Sequence, residues 1–181
     1  MKRIFLLISI VILFSCDGPY KNCDEYYFTN EFKSYVFFNN DSYWIYEDSS
    51  KNVIDSCIIT SASLEFIDYC DYNTESEELL KHKIYSSFFP SPSGSFTYQG
   101  SASLREYGAF GPYPMGYYRD NDEILDSVKI RNTWFENVKV HKFDNYEFYW
   151  AKNIGLIKKI LPYPNSNDSI YSFELIRYEI K

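Results

Sequence analysis

From residue 32 onward the chain is written as short runs of aromatic and β-branched residues separated by small polar clusters. Phe32 to Phe38 is an aromatic run that reads as a first strand and ends in Asn39-Asn40-Asp41. Tyr43-Trp44-Ile45-Tyr46 is a second, and Asp48-Ser49-Ser50-Lys51-Asn52 closes it. Val53 to Phe66 then sets Ser and Thr against Ile and Leu in alternation, the period of a strand with one buried face. The pattern resumes with Val128 to Ile130, Val138 to Phe143 and Glu147 to Trp150, with Asp144-Asn145 as a hairpin turn. Asn153-Ile154-Gly155 turns into Leu156 to Leu161, and Ser169 to Ile180 is a last long strand. Short strands joined by short turns predict a mainly β, antiparallel meander that forms a curved sheet or an open barrel or sandwich. Trp44, Phe38, Ile58, Leu64, Trp150, Leu156, Ile176 and Tyr178 are the expected core.

One segment has a different pattern. Thr74 followed by Glu77 matches a capping box. Glu75, Glu77 and Glu78 precede Lys81, His82 and Lys83, the charge order that suits a helix dipole. The expectation is one short helix over Thr74 to Lys83. Phe88 to Pro114 is rich in Ser, Gly and Pro and carries no clear period. It holds Phe96, Tyr98, Tyr107, Phe110 and Tyr113, with Tyr117 and Tyr118 just beyond. These rings either plug one end of the sheet or face a ligand. Tyr98, Tyr107, Phe110, Tyr113 and Tyr117 are the candidate ligand-facing aromatics.

The N-terminus has its own grammar. Met1-Lys2-Arg3 is followed by an apolar run from Ile4 to Phe14, then Ser15 and Cys16. The run is shorter than the roughly 20 residues a spanning helix needs. Leu13-Phe14-Ser15-Cys16 resembles the lipobox of bacterial lipoproteins, with the bulky Phe14 off-pattern. The resemblance implies a signal peptide over residues 1–15, lipidation of Cys16, and anchoring by acyl chains without a membrane-spanning helix. Residues 16–30, polar and carrying Gly18-Pro19, are expected as the lipidated N-terminus and tether. Residues 31–181 are expected as a single β-rich domain, since no internal repeat or linker divides them.

Loss of Lys2 and Arg3 with the signal leaves sixteen basic residues against twenty-five acidic, a net charge of −9. That balance argues against nucleic acid and against electrostatic docking on anionic lipid. With Cys16 lipidated, Cys23, Cys57 and Cys70 remain, an odd set that admits one disulfide. Cys57–Cys70 is the preferred pairing, and Cys23 with either is the alternative. No Cys/His spacing suggests zinc, and neither metal nor cofactor is expected.

Tyr43-Trp44-Ile45-Tyr46-Glu47-Asp48-Ser49 with Asp55-Ser56, and Gly155-Leu156-Ile157-Lys158 with Glu174-Leu175-Ile176-Arg177-Tyr178, resemble a pattern in small uncharacterised lipoproteins of Bacteroidota-type bacteria. The likeness covers about the first and last thirds of the mature chain. It implies an antiparallel β domain and no activity.

Chemistry-bearing motifs are scarce. GxSxG, HExxH, P-loop and GxGxxG patterns are absent. His82 suits a helix C-terminus, and His141 suits an exposed strand position. Asp68 with Asp71, the Glu75 to Glu78 run, and Asp120, Asp122 and Glu123 supply carboxylates without a separation that sequence can read. The expectation is an envelope-anchored, non-catalytic binding or structural domain at a membrane surface, outer membrane by preference, with a protein or glycan partner. A hydrolase using a carboxylate or histidine near residues 88–114 is the alternative.

Overall fold

The computed structural model describes residues 24–67, 75–89, 97–103, 107–109, 117–119, 122–162 and 170–181. For Glu75 and for residues 97–103, 107–109 and 117–119 only the backbone is described. Twelve strands and one helix make up the described chain. They are β1 Asp24–Tyr26, α1 Asn30–Val36, β2 Tyr43–Asp48, β3 Val53–Ile67, β4 Glu75–Ser86, β5 Thr97–Ser103, β6 Tyr107–Ala109, β7 Tyr117–Arg119, β8 Glu123–Ile130, β9 Thr133–Phe143, β10 Tyr146–Ala151, β11 Gly155–Pro162 and β12 Ile170–Glu179. The sheet runs β7-β6-β5-β4-β3-β2-β12-β11-β10-β9-β8, and β1 adds to the outer edge of β4 in parallel. Every other pairing is antiparallel. The order is that of a meander whose last strand, β12, is inserted beside β2.

The sheet is strongly curved and not closed by hydrogen bonds. Backbone of β7, at one end of the strand order, comes within 8 Å of β9 and β10, near the other end. Curling of this kind follows from the right-handed twist of many strands and the bulges that sharpen it. Bulges fall at Thr60 on β3, at Ile157 on β11 opposite Tyr149 and Trp150, and at Ile176 on β12. Turns use the residues that tolerate a left-handed backbone: Asp41, Asn52, Asp144 and Asn153 all have positive φ. Asp48 braces the β2–β3 turn, accepting from Ser50 N at 3.0 Å and from Ser172 N at 2.8 Å.

The helix is not where the sequence pattern placed it. Thr74 lies outside the described residues, and Glu75 to Lys83 is strand β4. From Ser76 to Ser86 its even positions are buried and its odd positions more exposed. That is a strand period, but the inward residues include Ser76, Glu78, His82 and Ser86, so the hydropathy of the sequence conceals it. The helix is α1, within the run read as a first strand. Thr29 caps it, accepting from Phe32 N at 3.0 Å. Phe28, Phe32, Tyr35 and Val36 recur at helical spacing and are all buried. Phe28 stacks on Phe32 with ring centroids 4.7 Å apart.

Burial also corrects half of the expected core. Trp44, Phe38, Trp150 and Leu156 are buried. Ile58, Leu64, Ile176 and Tyr178 are exposed. On β3 the inward positions are Asp55, Cys57 and Ile59, so Ile58 faces out. Ile176 and Tyr178 lie at and beyond the β12 bulge, where the strand leaves β11. The segment expected as a tether is structured from Asp24 onward, because β1 pairs with Glu75 to Glu77. Glu78 ties that segment down: it accepts from Phe28 N at 2.8 Å and pairs with Lys33 at 2.9 Å.

Candidate functional site

Three features could carry function: a groove, a histidine pair and a buried charged cluster. The groove arises because two ladders end early. β11 pairs with β12 only from Lys158 to Pro162, so Gly155 to Ile157 diverges from Leu175 to Glu179. The carbonyls of the diverging strand find side chains instead. Trp44 Nε1 donates to Ile154 O at 2.6 Å, and Tyr46 OH donates to Leu156 O at 2.9 Å. Gly155 is required here, with φ +91° and the Phe38 ring edge 2.9 Å from where a Cβ would stand.

On the other side, β9 runs past the end of β10, which pairs only back to Val138. Asn137 has φ 51°, and the inward positions change parity across it: Phe135 is buried, then Val138 and Val140. Its carbonyl accepts from Tyr35 OH at 2.8 Å. The projecting β8–β9 hairpin carries Trp134 on its surface, 64% exposed. Lys129 Nζ lies 6.0 Å from that ring's centroid.

Between the hairpin, the β10–β11 turn and the free end of β12 lies an open groove of about 520 Å³. Trp134, Ile176 and Tyr178 are among its apolar residues, Thr133, Asn137 and Asn153 supply hydroxyl and amide groups, and Glu136 and Lys152 add one charge of each sign. An exposed indole beside amide donors and acceptors suits a ligand with one apolar face and many hydroxyls. None of the groove's residues was expected as a site. Trp134 falls between two runs read as strands, and only an Asn in the middle of a β pattern hints at the kink.

The expected aromatics are elsewhere. Tyr98 is on β5 opposite Ile84, Tyr107 on β6 opposite Ser103, and Tyr117 on β7 opposite Ala109. Their backbones thus belong to the sheet's β5–β7 end, while Phe110 and Tyr113 lie outside the described residues. Cys16, Cys23 and Cys70 lie outside them too. Of the expected Cys57–Cys70 pairing only Cys57 is described, a fully buried thiol.

His141, expected at the surface, is buried on β9, its Nδ1 2.9 Å from Asp122 Oδ1. A histidine held by a carboxylate is two-thirds of a nucleophilic triad. His82, expected at a helix end, is an inward strand residue. Burial pushes its imidazole down to about 4, against a hydrogen bond with the Phe38 backbone. Among the described residues no cluster of His, Cys, Asp and Glu could hold a metal ion, and no helix is long and apolar enough to cross a membrane.

The third feature is enclosed by the curled sheet. Lys159 on β11 and Asp55 on β3 are both fully buried, with Nζ 2.5 Å from Oδ2. β2 and β12 separate their strands in the sheet. Asp55 Oδ1 accepts from Ser86 Oγ at 2.7 Å and Phe88 N at 3.2 Å. Cys57 Sγ is 3.3 Å from Asp55 Oδ2 and 3.5 Å from Lys159 Nζ. The rings of Tyr46, Phe89 and Phe173 surround the ammonium at 4.4, 5.4 and 5.4 Å. Burial pushes the Asp55 carboxyl up, but Lys159 and the hydrogen bonds more than offset it, leaving it below its ordinary value. Burial, reinforced by Asp55, pushes the Cys57 thiol well up, so it stays protonated.

No known protein family, curated protein or solved structure matches the chain.

Proposed function

We propose that this chain is a lipid-anchored, non-catalytic binding domain of the bacterial envelope, and that the groove beside Trp134 takes a glycan. The observation that carries the reading is the exposed indole at a groove furnished with Thr133, Asn137 and Asn153. A sugar ring offers a C–H face for the indole and hydroxyls for the amides. The two surfaces match in chemistry and in their open, shallow geometry. The acidic composition leaves anchoring to acyl chains on Cys16, as the lipobox resemblance implies. The hydrolase alternative places a carboxylate or histidine near residues 88–114; the described histidine–carboxylate pair, His141 on β9 with Asp122 just before β8, stands apart from the groove's lining.

The test is an array of immobilised envelope oligosaccharides probed with the mature chain and with Trp134→Ala. Binding by the parent and its loss in the variant, at unchanged melting temperature, supports the reading. Equal binding by both, or none by the parent, overturns the assignment of this groove to glycan.

A further inference from the structure

We propose that Lys159 and Asp55 condense into an intramolecular isopeptide bond, a covalent staple between β3 and β11. The pair has the arrangement that such a condensation needs. Nucleophile and carboxyl touch at 2.5 Å, and neither has access to solvent. Three aromatic rings line the ammonium and shut water out, so the proton can pass between nitrogen and oxygen only within the pair. The two carboxyl oxygens have different surroundings. Oδ1 receives Ser86 Oγ and Phe88 N, two donors placed where a tetrahedral oxyanion develops. Oδ2 faces Lys159 and the Cys57 thiol.

The steps balance without any added reagent. One proton passes from Lys159 Nζ to Asp55 Oδ2, giving amine and acid. Nζ attacks Cγ, the C–N bond forms, and negative charge settles on Oδ1 between Ser86 and Phe88. Cys57 Sγ, within reach of both atoms, takes a second proton from Nζ and gives its own to Oδ2. The C–Oδ2 bond breaks, one water leaves, and Oδ1 returns to a carbonyl. Cys57 ends protonated as it began, which its burial favours. Cys57 relays the protons and Ser86 holds the oxyanion; neither is joined by the bond.

Geometry also gives the bond a purpose. β3 and β11 are three strand spacings apart, about 14 Å along the sheet. Only the curl of the sheet brings their inward side chains together. A covalent link there would lock that curl, in a sheet that hydrogen bonds do not close.

The test is peptide mass mapping of the full-length protein, denatured and digested with trypsin. The expected product is a branched peptide joining the segment that holds Asp55 to the one that holds Lys159, lighter than their sum by one water. Cleavage after Lys159 should fail. Recovery of both linear peptides, with Lys159 cleaved, overturns the proposal. Lys159→Arg should retain the charge and yield no branched peptide. Ser86→Ala, followed over time from fresh cell-free synthesis, should form the link more slowly, on the order of 100-fold as for loss of one oxyanion donor. Linkage at the parent rate in that variant would overturn the role given to Oδ1.

Discussion

The most consequential residues of this protein are polar ones in an apolar place. Asp55 and Lys159 are fully buried, and a buried charge is tolerated only when its partner is present. Asp55→Ala should therefore lower stability by about 3–5 kcal/mol, since it strands the Lys159 ammonium among aromatic rings. Urea unfolding of the purified variant measures it, and a loss under 1 kcal/mol, on the scale of an exposed pair, would remove the cluster from the list of structural determinants. His82 makes stability depend on pH. Its folded value near 4 lies below the ordinary 6.5, so the unfolded chain takes up the proton first. The stabilisation is complete above pH 6.5, declines as pH falls from there, and is gone below about 4. The gap is worth about 3 kcal/mol. His82→Gln should flatten the stability profile across that window in urea titrations at stepped pH.

At the scale of elements, β4 and α1 exchange the identities that local sequence suggests. β4 carries a helical charge order and a capping-box match, yet it pairs with β1, β3 and β5. Tertiary pairing outweighs a helix propensity worth only tenths of a kcal/mol per residue. α1 shows the converse, because Phe32, Tyr35 and Val36 need to be buried on one side and only a helix puts them there. Phe32→Ala should cost about 3–5 kcal/mol. Thr29→Ala, which removes only the cap, should cost about 1 kcal/mol. Equal losses from the two, measured by thermal unfolding, would mean that the helix is held by its cap and not by packing. The groove is likewise an effect of elements. It exists because β9 outruns β10 past Asn137, with its positive φ, and β11 leaves β12 beside the bulge at Ile176.

At the scale of the molecule, an open sheet curls until its two ends approach, and the buried face of α1 joins its core. The envelope reading adds a lipid at Cys16, with the domain beginning soon after at Asp24. Cys16→Ala should abolish acylation and release the protein from the membrane fraction. A variant that stays membrane-bound with the same mature N-terminus would end the lipoprotein reading. That outcome would leave the groove and the buried cluster untouched, because neither depends on the anchor.

Sequence alone determined the fold class, the turns and much of the strand list, because these depend on local periodicity and on residues such as Asp41, Asn52, Asp144 and Asn153 that accept a left-handed backbone. It also identified Trp44, Trp150 and Leu156, in strand patterns that the structure keeps, and Phe38, just beyond α1, as core. Only the tertiary structure decided the rest. β4 reads as a helix until its neighbours claim its hydrogen bonds. Ile58, Ile176 and Tyr178 read as core until pleat and bulge turn them outward. Trp134 becomes a surface feature only when the β8–β9 hairpin overshoots β10. The Asp55, Cys57, Ser86 and Lys159 cluster has no local trace at all. Its members come from three strands, and what unites them is the curvature of a sheet, a property of the assembled molecule that no sequence window contains.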